Sequence, residues 1–198
     1  MGNFKVKDHY YEKAKQENFL ARSIYKLEEI DQKYKVLKAG MKVVDFGYYP
    51  GSWIQYTSKV IGESGTVVGI DIQEVNKKLA GLKNVRVYQQ SIFDVSDLSQ
   101  LGVEDQFDAV LSDMAPSTTG IKSVDQARSL NLVESVFEVL PRFLRPGGHF
   151  VIKVFDSQAA QDYLKQQKHL FGEFHFLKPK STRSVSKEFF VIGKNFKA

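Results

Sequence analysis

Five short apolar runs, spaced by longer segments, constrain this chain more than any other feature of it. Lys42-Val43-Val44-Asp45-Phe46 is stopped by Gly47, and Thr66-Val67-Val68-Gly69-Ile70 is stopped by Asp71. Val85–Tyr88, Phe107–Leu111 and His149–Val154 follow. Each is four to six residues long, and most are rich in β-branched residues, as strands buried on both faces are. Between them lie stretches with helical periodicity. The clearest spans Val124 to Leu144, where Leu130, Val133, Phe137, Leu140 and Leu144 form one apolar stripe. Ser123 and Gln126 are spaced as a capping box at its start, and Arg145-Pro146-Gly147-Gly148 is expected to stop it. Strand alternating with helix predicts an α/β, doubly wound fold with a mostly parallel sheet and helices on both faces. Phe189–Ile192 follows Phe174-His175-Phe176 after a short linker, so an antiparallel edge strand is expected.

In such a sheet ligands bind outside the carboxyl ends of the strands. Those ends are Asp45, Asp71, the stretch near Ser91, Asp113 and Lys153. After the first strand, Gly47-Tyr48-Tyr49-Pro50-Gly51-Ser52-Trp53 makes a tight strand-to-helix turn bracketed by glycines. Asp71 ends the second strand 20 residues after Gly51, where a carboxylate can accept both hydroxyls of an adenosine ribose. The turn lacks the G-x-G-x-x-G spacing of a pyrophosphate site, which disfavours a nicotinamide dinucleotide. An acidic strand end at Asp45 suits a cationic cofactor instead, so the residues lean to S-adenosylmethionine (SAM), which carries a sulfonium and an ammonium. Lys153 lies inside an apolar run, where lysine is costly unless paired or functional, and neighbouring parallel strands place Asp113 beside it.

Composition bounds the remaining classes. The 198 residues suit one domain, with 1–40 as a basic helical leader and 41–198 as the core. Phe19, Leu20, Ile24, Leu27 and Ile30 fall near helical spacing in that leader, and Gly40 is expected to end it. No cysteine is present, which excludes disulfides, thiolate metal sites and a thiol nucleophile. Four histidines in no ligand spacing give no reason to expect a metal. No apolar run approaches a membrane span, and the start has neither a signal-peptide stretch nor a myristoylation pattern. A soluble, cytoplasmic monomer is expected. Residues 1–42 carry a net charge of +4, residues 165–198 carry +6, and the acidic middle carries −5. Basic ends suit a polyanion such as RNA.

Taken together, Asp45–Trp53, Ser112-Asp113-Met114-Ala115-Pro116, Val151–Phe155 and Ser184-Val185-Ser186-Lys187-Glu188 resemble the FtsJ/RrmJ (RlmE) family, as does Ala21-Arg22-Ser23-Ile24-Tyr25-Lys26-Leu27. The likeness spans nearly the whole chain, and S-D-M-A-P is its most specific piece. It implies a Rossmann-like, SAM-dependent methyltransferase that methylates a ribose 2′-hydroxyl, on a uridine of large-subunit (23S) ribosomal RNA. It further implies a Lys–Asp–Lys–Glu tetrad on Lys26, Asp113, Lys153 and Glu188. Gly51, Trp53, Asp71 and Asp113 are implied at the SAM site, beside Asp45, Gly47 and Ser91 at neighbouring strand ends. The chemistry suits these residue types. A 2′-hydroxyl is a poor nucleophile until a positioned base takes its proton, and a lysine serves when a second cation or desolvation favours its neutral form.

The sequence departs from the family pattern in two places. Tyr48 and Tyr49 replace the usual small residues of the turn, and their rings either wall in the cofactor's methionine half or block it. Ser91 stands where an acidic residue often meets the adenine, with Asp94 three residues on. Those departures keep a second reading open: a non-catalytic RNA-binding or ribosome-assembly protein with a degenerate SAM site. By composition alone Lys26 reads more readily as a surface lysine on an amphipathic helix, and Glu188 has the alternative of an edge-strand charge. Lys5, Lys7, Lys13, Lys15 and Arg22, with Lys178, Lys180, Arg183 and Lys187, are the expected RNA-facing cations. Tyr10 and Tyr11 either stack on a splayed base or pack in the core.

Overall fold

The structure, a computed structural model, describes residues 9–183 and 186–197. In chain order its helices are α1 (His9–Gln16), α2 (Ile24–Tyr34), α3 (Ser52–Ile61), α4 (Lys122–Phe143) and α5 (Gln158–Gln167). Its strands are β1 (Lys42–Phe46), β2 (Thr66–Asp71), β3 (Val85–Gln89), β4 (Phe107–Ser112), β5 (Leu144–Phe155), β6 (Phe171–Leu177) and β7 (Glu188–Phe196). They form one seven-stranded sheet in the order β3-β2-β1-β4-β5-β7-β6. The first five strands of that order pair in parallel, and β7 runs antiparallel to both β5 and β6. The antiparallel strand therefore lies one place in from the edge expected for it. β6 is the edge, because β7 returns between β6 and β5 and so pairs on both sides.

Alternation along the strands divides the core. Val44, Phe46, Val68, Ile70, Val110 and Ile152 face α4 and α5. Val43, Val67, Ala109, Leu111 and Val151 face α2 and α3. Period-two alternation in a central strand gives each face its own packed layer.

Four local expectations are corrected. The leader is not one helix: the chain breaks after α1, with Asn18 at φ 60°, and resumes at Ile24. Phe19 and Leu20 lie in that break, where Gln55 of α3 accepts the Leu20 amide at 2.9 Å and donates to the Asn18 carbonyl at 3.2 Å. α2 ends at the left-handed Lys35 rather than at Gly40. Ser123 is not the cap of α4, which already starts at Lys122. The Asp125 side chain instead reaches back to accept the amides of Thr119 (2.7 Å) and Gly120 (3.1 Å). Finally, α4 passes directly into β5 at Leu144, and Arg145–Gly148 form an irregularity within that strand.

Candidate active site

The carboxyl ends of the parallel strands open onto a cleft of about 780 Å³, a size suited to a nucleoside-sized ligand. Gly47, Asp71, Ser91 and Asp113 all line it. Gly47 sits at φ 69°, and a Cβ there would come within 2.2 Å of Met114 Cγ. The turn therefore needs glycine both for its backbone and for space. Asp71 is buried and accepts the amides of Tyr49 (3.0 Å) and Gln73 (2.9 Å), which fixes its carboxylate at the cleft wall.

Asp45 is 1% exposed, and neither of its carboxylate oxygens has a partner. Its strand lies between those carrying Asp71 and Asp113. Burial first, and then the charges of Asp113 and Asp71, push its carboxyl well above the usual range. Asp45 does not line the cleft itself, but it lies between Asp71 and Asp113, which do, and a cationic ligand there would offset its charge. That fits the sulfonium and ammonium of SAM, and it does not fit a pyrophosphate.

The two tyrosines diverge. Tyr48 turns into the core, 3% exposed, where its ring lies over Gly69 and its hydroxyl accepts the Asn76 amide at 3.3 Å. Tyr49 alone lines the cleft and is 44% exposed. The expected pair of rings at the cofactor is thus one ring, at the wall of an open cleft. Ser91 rather than Asp94 lines the cavity, and its Oγ accepts the Phe93 amide at 3.2 Å.

Gly51 and Trp53 are not among the lining residues. Gly51, at φ 114°, begins α3 against Leu79. The Trp53 indole donates to the Ser23 carbonyl at 2.9 Å and packs on Phe190, with ring centroids 5.8 Å apart. These contacts tie the turn to the segment before α2. Residues that the sequence reading missed also line the cleft: Arg128, Asn131 and Ser135 of α4. They fall at i, i+3 and i+7 on the polar side of that helix, a signal the helical pattern contained.

The four expected catalytic residues converge in two ion pairs. Lys153 Nζ lies 3.0 Å from Asp113 Oδ1 and also donates to the Asp113 carbonyl. Register explains the pairing, since Ser112 lies opposite Ile152 and each following residue extends past the paired strands. Lys26 bonds Glu188 across 162 residues of sequence. Both lysines are largely buried, with side-chain exposures of 10% for Lys153 and 13% for Lys26. Burial pushes the Glu188 carboxyl up, but the bond and charge of Lys26, with the charge of Lys153, outweigh it and hold the carboxyl below its ordinary value. Glu188 thus feels both cations, so the two pairs form one cluster. Asp113 belongs both to that cluster and to the cleft.

Of the expected RNA-facing residues, Lys5 and Lys7 lie outside the described residues, as do Ser184 and Val185 of the last motif. Lys178 and Lys187 line a separate cavity of about 310 Å³ together with Lys122 and Glu188. Tyr10 packs on Tyr25, with ring centroids 5.4 Å apart, whereas Tyr11 is 57% exposed. No group of three His, Cys, Asp or Glu side chains among the described residues is placed to hold a metal ion. No described helix is long and apolar enough to cross a membrane.

Residues 19–196 match the family model of FtsJ-like methyltransferases. The chain is 46% identical to the ribosomal RNA large subunit methyltransferase E of Bdellovibrio bacteriovorus, over 96% of this chain and 97% of that protein. It is 45% identical to the protein of the same name from Syntrophobacter fumaroxidans, over 96% of each. Among solved structures, a protein described as a ribosomal RNA methyltransferase from Plasmodium falciparum superposes with a TM-score of 0.77 at 28% identity, covering 90% of this chain and 98% of that one. Fibrillarin from Aeropyrum pernix, solved with natively bound SAM, shares the fold at a TM-score of 0.62 and 14% identity, over 86% of this chain and 76% of that one.

Proposed function

This chain belongs to the FtsJ-like methyltransferase family, and on that premise we propose that it methylates a ribose 2′-hydroxyl in RNA, on a uridine of the large-subunit ribosomal RNA. SAM is the methyl donor, and the reading takes the chain as one cytoplasmic, monomeric methyltransferase domain. The observation that carries the proposal is the shared position of Asp113, which lines the donor cleft and holds Lys153 at 3.0 Å. The relatives named above supply the substrate class, ribosomal RNA of the large subunit.

Bound in the cleft, SAM supplies an electrophilic methyl group on a sulfonium. Asp71 takes the adenosine ribose hydroxyls, Tyr49 and Ser91 line the walls, and Asp45 with Asp113 gives the cationic half an acidic surround. Gly51 and Trp53 serve the donor site indirectly, by fixing the turn. On the acceptor side, Lys153 is the base placed to take the proton of the 2′-hydroxyl as that oxygen becomes the nucleophile. The resulting ammonium is held by the carboxylate and the carbonyl of Asp113. Lys26, clamped by Glu188, contributes a second cation beside the developing oxygen charge. Holding hydroxyl and amine in one geometry accounts for most of the rate in such a site. The degenerate-site reading is not favoured, because Tyr48 points away from the cleft and leaves only Tyr49 and Ser91 of the departures that suggested it.

Two measurements test this. Lys153→Ala is expected to abolish transfer of tritium from methyl-labelled SAM to ribosomal particles lacking the modification, with calorimetric SAM affinity preserved. Near-normal turnover in that variant removes Lys153 from the chemistry. Mapping 2′-O-methyl sites in cellular RNA with and without the protein identifies the nucleotide, and an unchanged map overturns the ribose assignment.

A further inference from the structure

The tetrad depends on Glu188 meeting Lys26, yet the two belong to opposite ends of the chain. Glu188 is held opposite Phe155 in the β5–β7 pairing, and a set of contacts along one face of α2 brings Lys26 to it. Arg22, just before the helix, donates to the carbonyl of Ser181. Lys26, four residues on, binds Glu188. Glu29, three further, accepts the amides of Lys180 (2.7 Å) and Ser181 (2.9 Å), one on each carboxylate oxygen. The spacing i, i+4, i+7 puts the three side chains on a single stripe. Their partners are Lys180 and Ser181, in the turn after β6, and Glu188, the first residue of β7.

We infer that Glu29 is a positioning residue for methyl transfer: its carboxylate anchors α2 to the Lys180–Ser181 turn and thereby sets where Lys26 stands against Glu188. This rests on the tetrad reading above. The turn itself is compact, with the Thr182 amide bonding the Pro179 carbonyl at 3.0 Å, and Ser181 is 1% exposed. Lys180 is exposed, but Ser181 is buried and its amide cannot exchange a lost partner for water freely. A carboxylate accepting two backbone amides makes charge-assisted bonds, the stronger class. Glutamine at position 29 keeps the shape but offers one carbonyl oxygen in place of two anionic ones, so at least one amide loses its partner. Glu29 lines neither the donor cleft nor the cavity beside Glu188, so its influence on turnover runs through the Lys26–Glu188 pair.

A double-mutant cycle with Glu29→Gln and Glu188→Gln reads this directly. Glu29→Gln is expected to lower kcat about tenfold, in line with a small misplacement of a reacting group, with KM and calorimetric Kd for SAM unchanged. In the Glu188→Gln background the same substitution is expected to add little. Amide hydrogen exchange supplies a readout independent of turnover: Glu29→Gln should speed exchange at Lys180 and Ser181 while leaving β1 and β4 protected. If Glu29→Gln turns over like the parent while Glu188→Gln is impaired, Glu29 has no positioning role and the tetrad stands. Multiplicative losses in the double variant make Glu29 a general stabiliser and overturn the inference. If Glu188→Gln itself retains full turnover, the tetrad reading fails and the role of Glu29 falls with it.

Discussion

Asp45 shows most directly how a single residue links stability to function. Its carboxyl is raised by burial and by the charges of Asp113 and Asp71. A carboxyl whose folded value lies above its unfolded one contributes stability that is full below the unfolded value and is lost as pH rises toward the folded value. At neutral pH the ligand-free protein therefore carries a cost at this position. Asp45→Asn removes the charge and keeps the shape. We expect it to raise the melting temperature at pH 7, by an amount corresponding to about 1–3 kcal/mol, with the gain shrinking as pH falls toward 4 by calorimetric scans, since about 3.9 is where an unfolded Asp titrates. The same substitution should weaken SAM binding in titration, because the cationic half of the donor loses a counter-charge. An Asn variant less stable at every pH would mean that the carboxylate is satisfied in a way the geometry does not show. Glu188 has the opposite sign. Its carboxyl is held low, so the Lys26 pair stabilises above the ordinary Glu range and is lost as pH falls through the folded value.

Among the elements, the start of α4 separates what a pattern shows from what a fold decides. Ser123 and Gln126 have the spacing of a capping box, but the helix begins at Lys122, and Asp125 holds the preceding turn through Thr119 and Gly120. Asp125→Ala is expected to speed amide exchange across 119–125 and lower the melting temperature, whereas Ser123→Ala should leave both unchanged. The low carboxyl of Asp125, drawn down first by the Thr119 amide, makes this contribution one that fades as pH drops through the folded value. Strand positions were legible because buried parallel strands need continuous apolar runs, and β1 falls on Lys42–Phe46, the run read from the sequence. The fate of Tyr48 was not legible. It depends on Gly69 of the neighbouring strand, where a Cβ would sit 2.7 Å from the tyrosine Cγ. Only the β1–β2 pairing brings those residues together. Asp113 and Lys153 were readable as neighbours because both follow adjacent parallel strands. The anchoring by Glu29 was not, since no local pattern reports a partner about 150 residues away.

For the whole molecule, the charge asymmetry of the sequence acquires a direction. The acidic middle, net −5 over residues 43–164, supplies Asp71 and Asp113 to the proposed donor cleft, with Asp45 buried between them. The basic ends meet where Arg22, Lys26 and Glu29 contact Lys180, Ser181 and Glu188, at the proposed acceptor side. There Lys122, Lys178 and Lys187 surround the cavity that includes Glu188. Lys178 donates to the Ser186 carbonyl at 2.9 Å, while the Lys122 and Lys187 ammonium groups have no partner among the described residues. The two substrates should therefore respond differently to salt. SAM would enter the acidic cleft with a net charge near one, so its affinity should change little. RNA binding releases counterions, and log K should fall linearly with log salt, with a slope of about −0.7 per phosphate neutralised on a single strand. Replacing Lys122 and Lys187 together by Gln should flatten that slope by about 1.4, two contacts at that value, and raise KM for RNA at physiological salt. SAM affinity should be untouched, because neither lysine lines the donor cleft. Fluorescence anisotropy of labelled RNA across a salt series, with parent and double variant side by side, reads both quantities. An unchanged slope would place the RNA backbone on another face and leave these lysines as solvated charges.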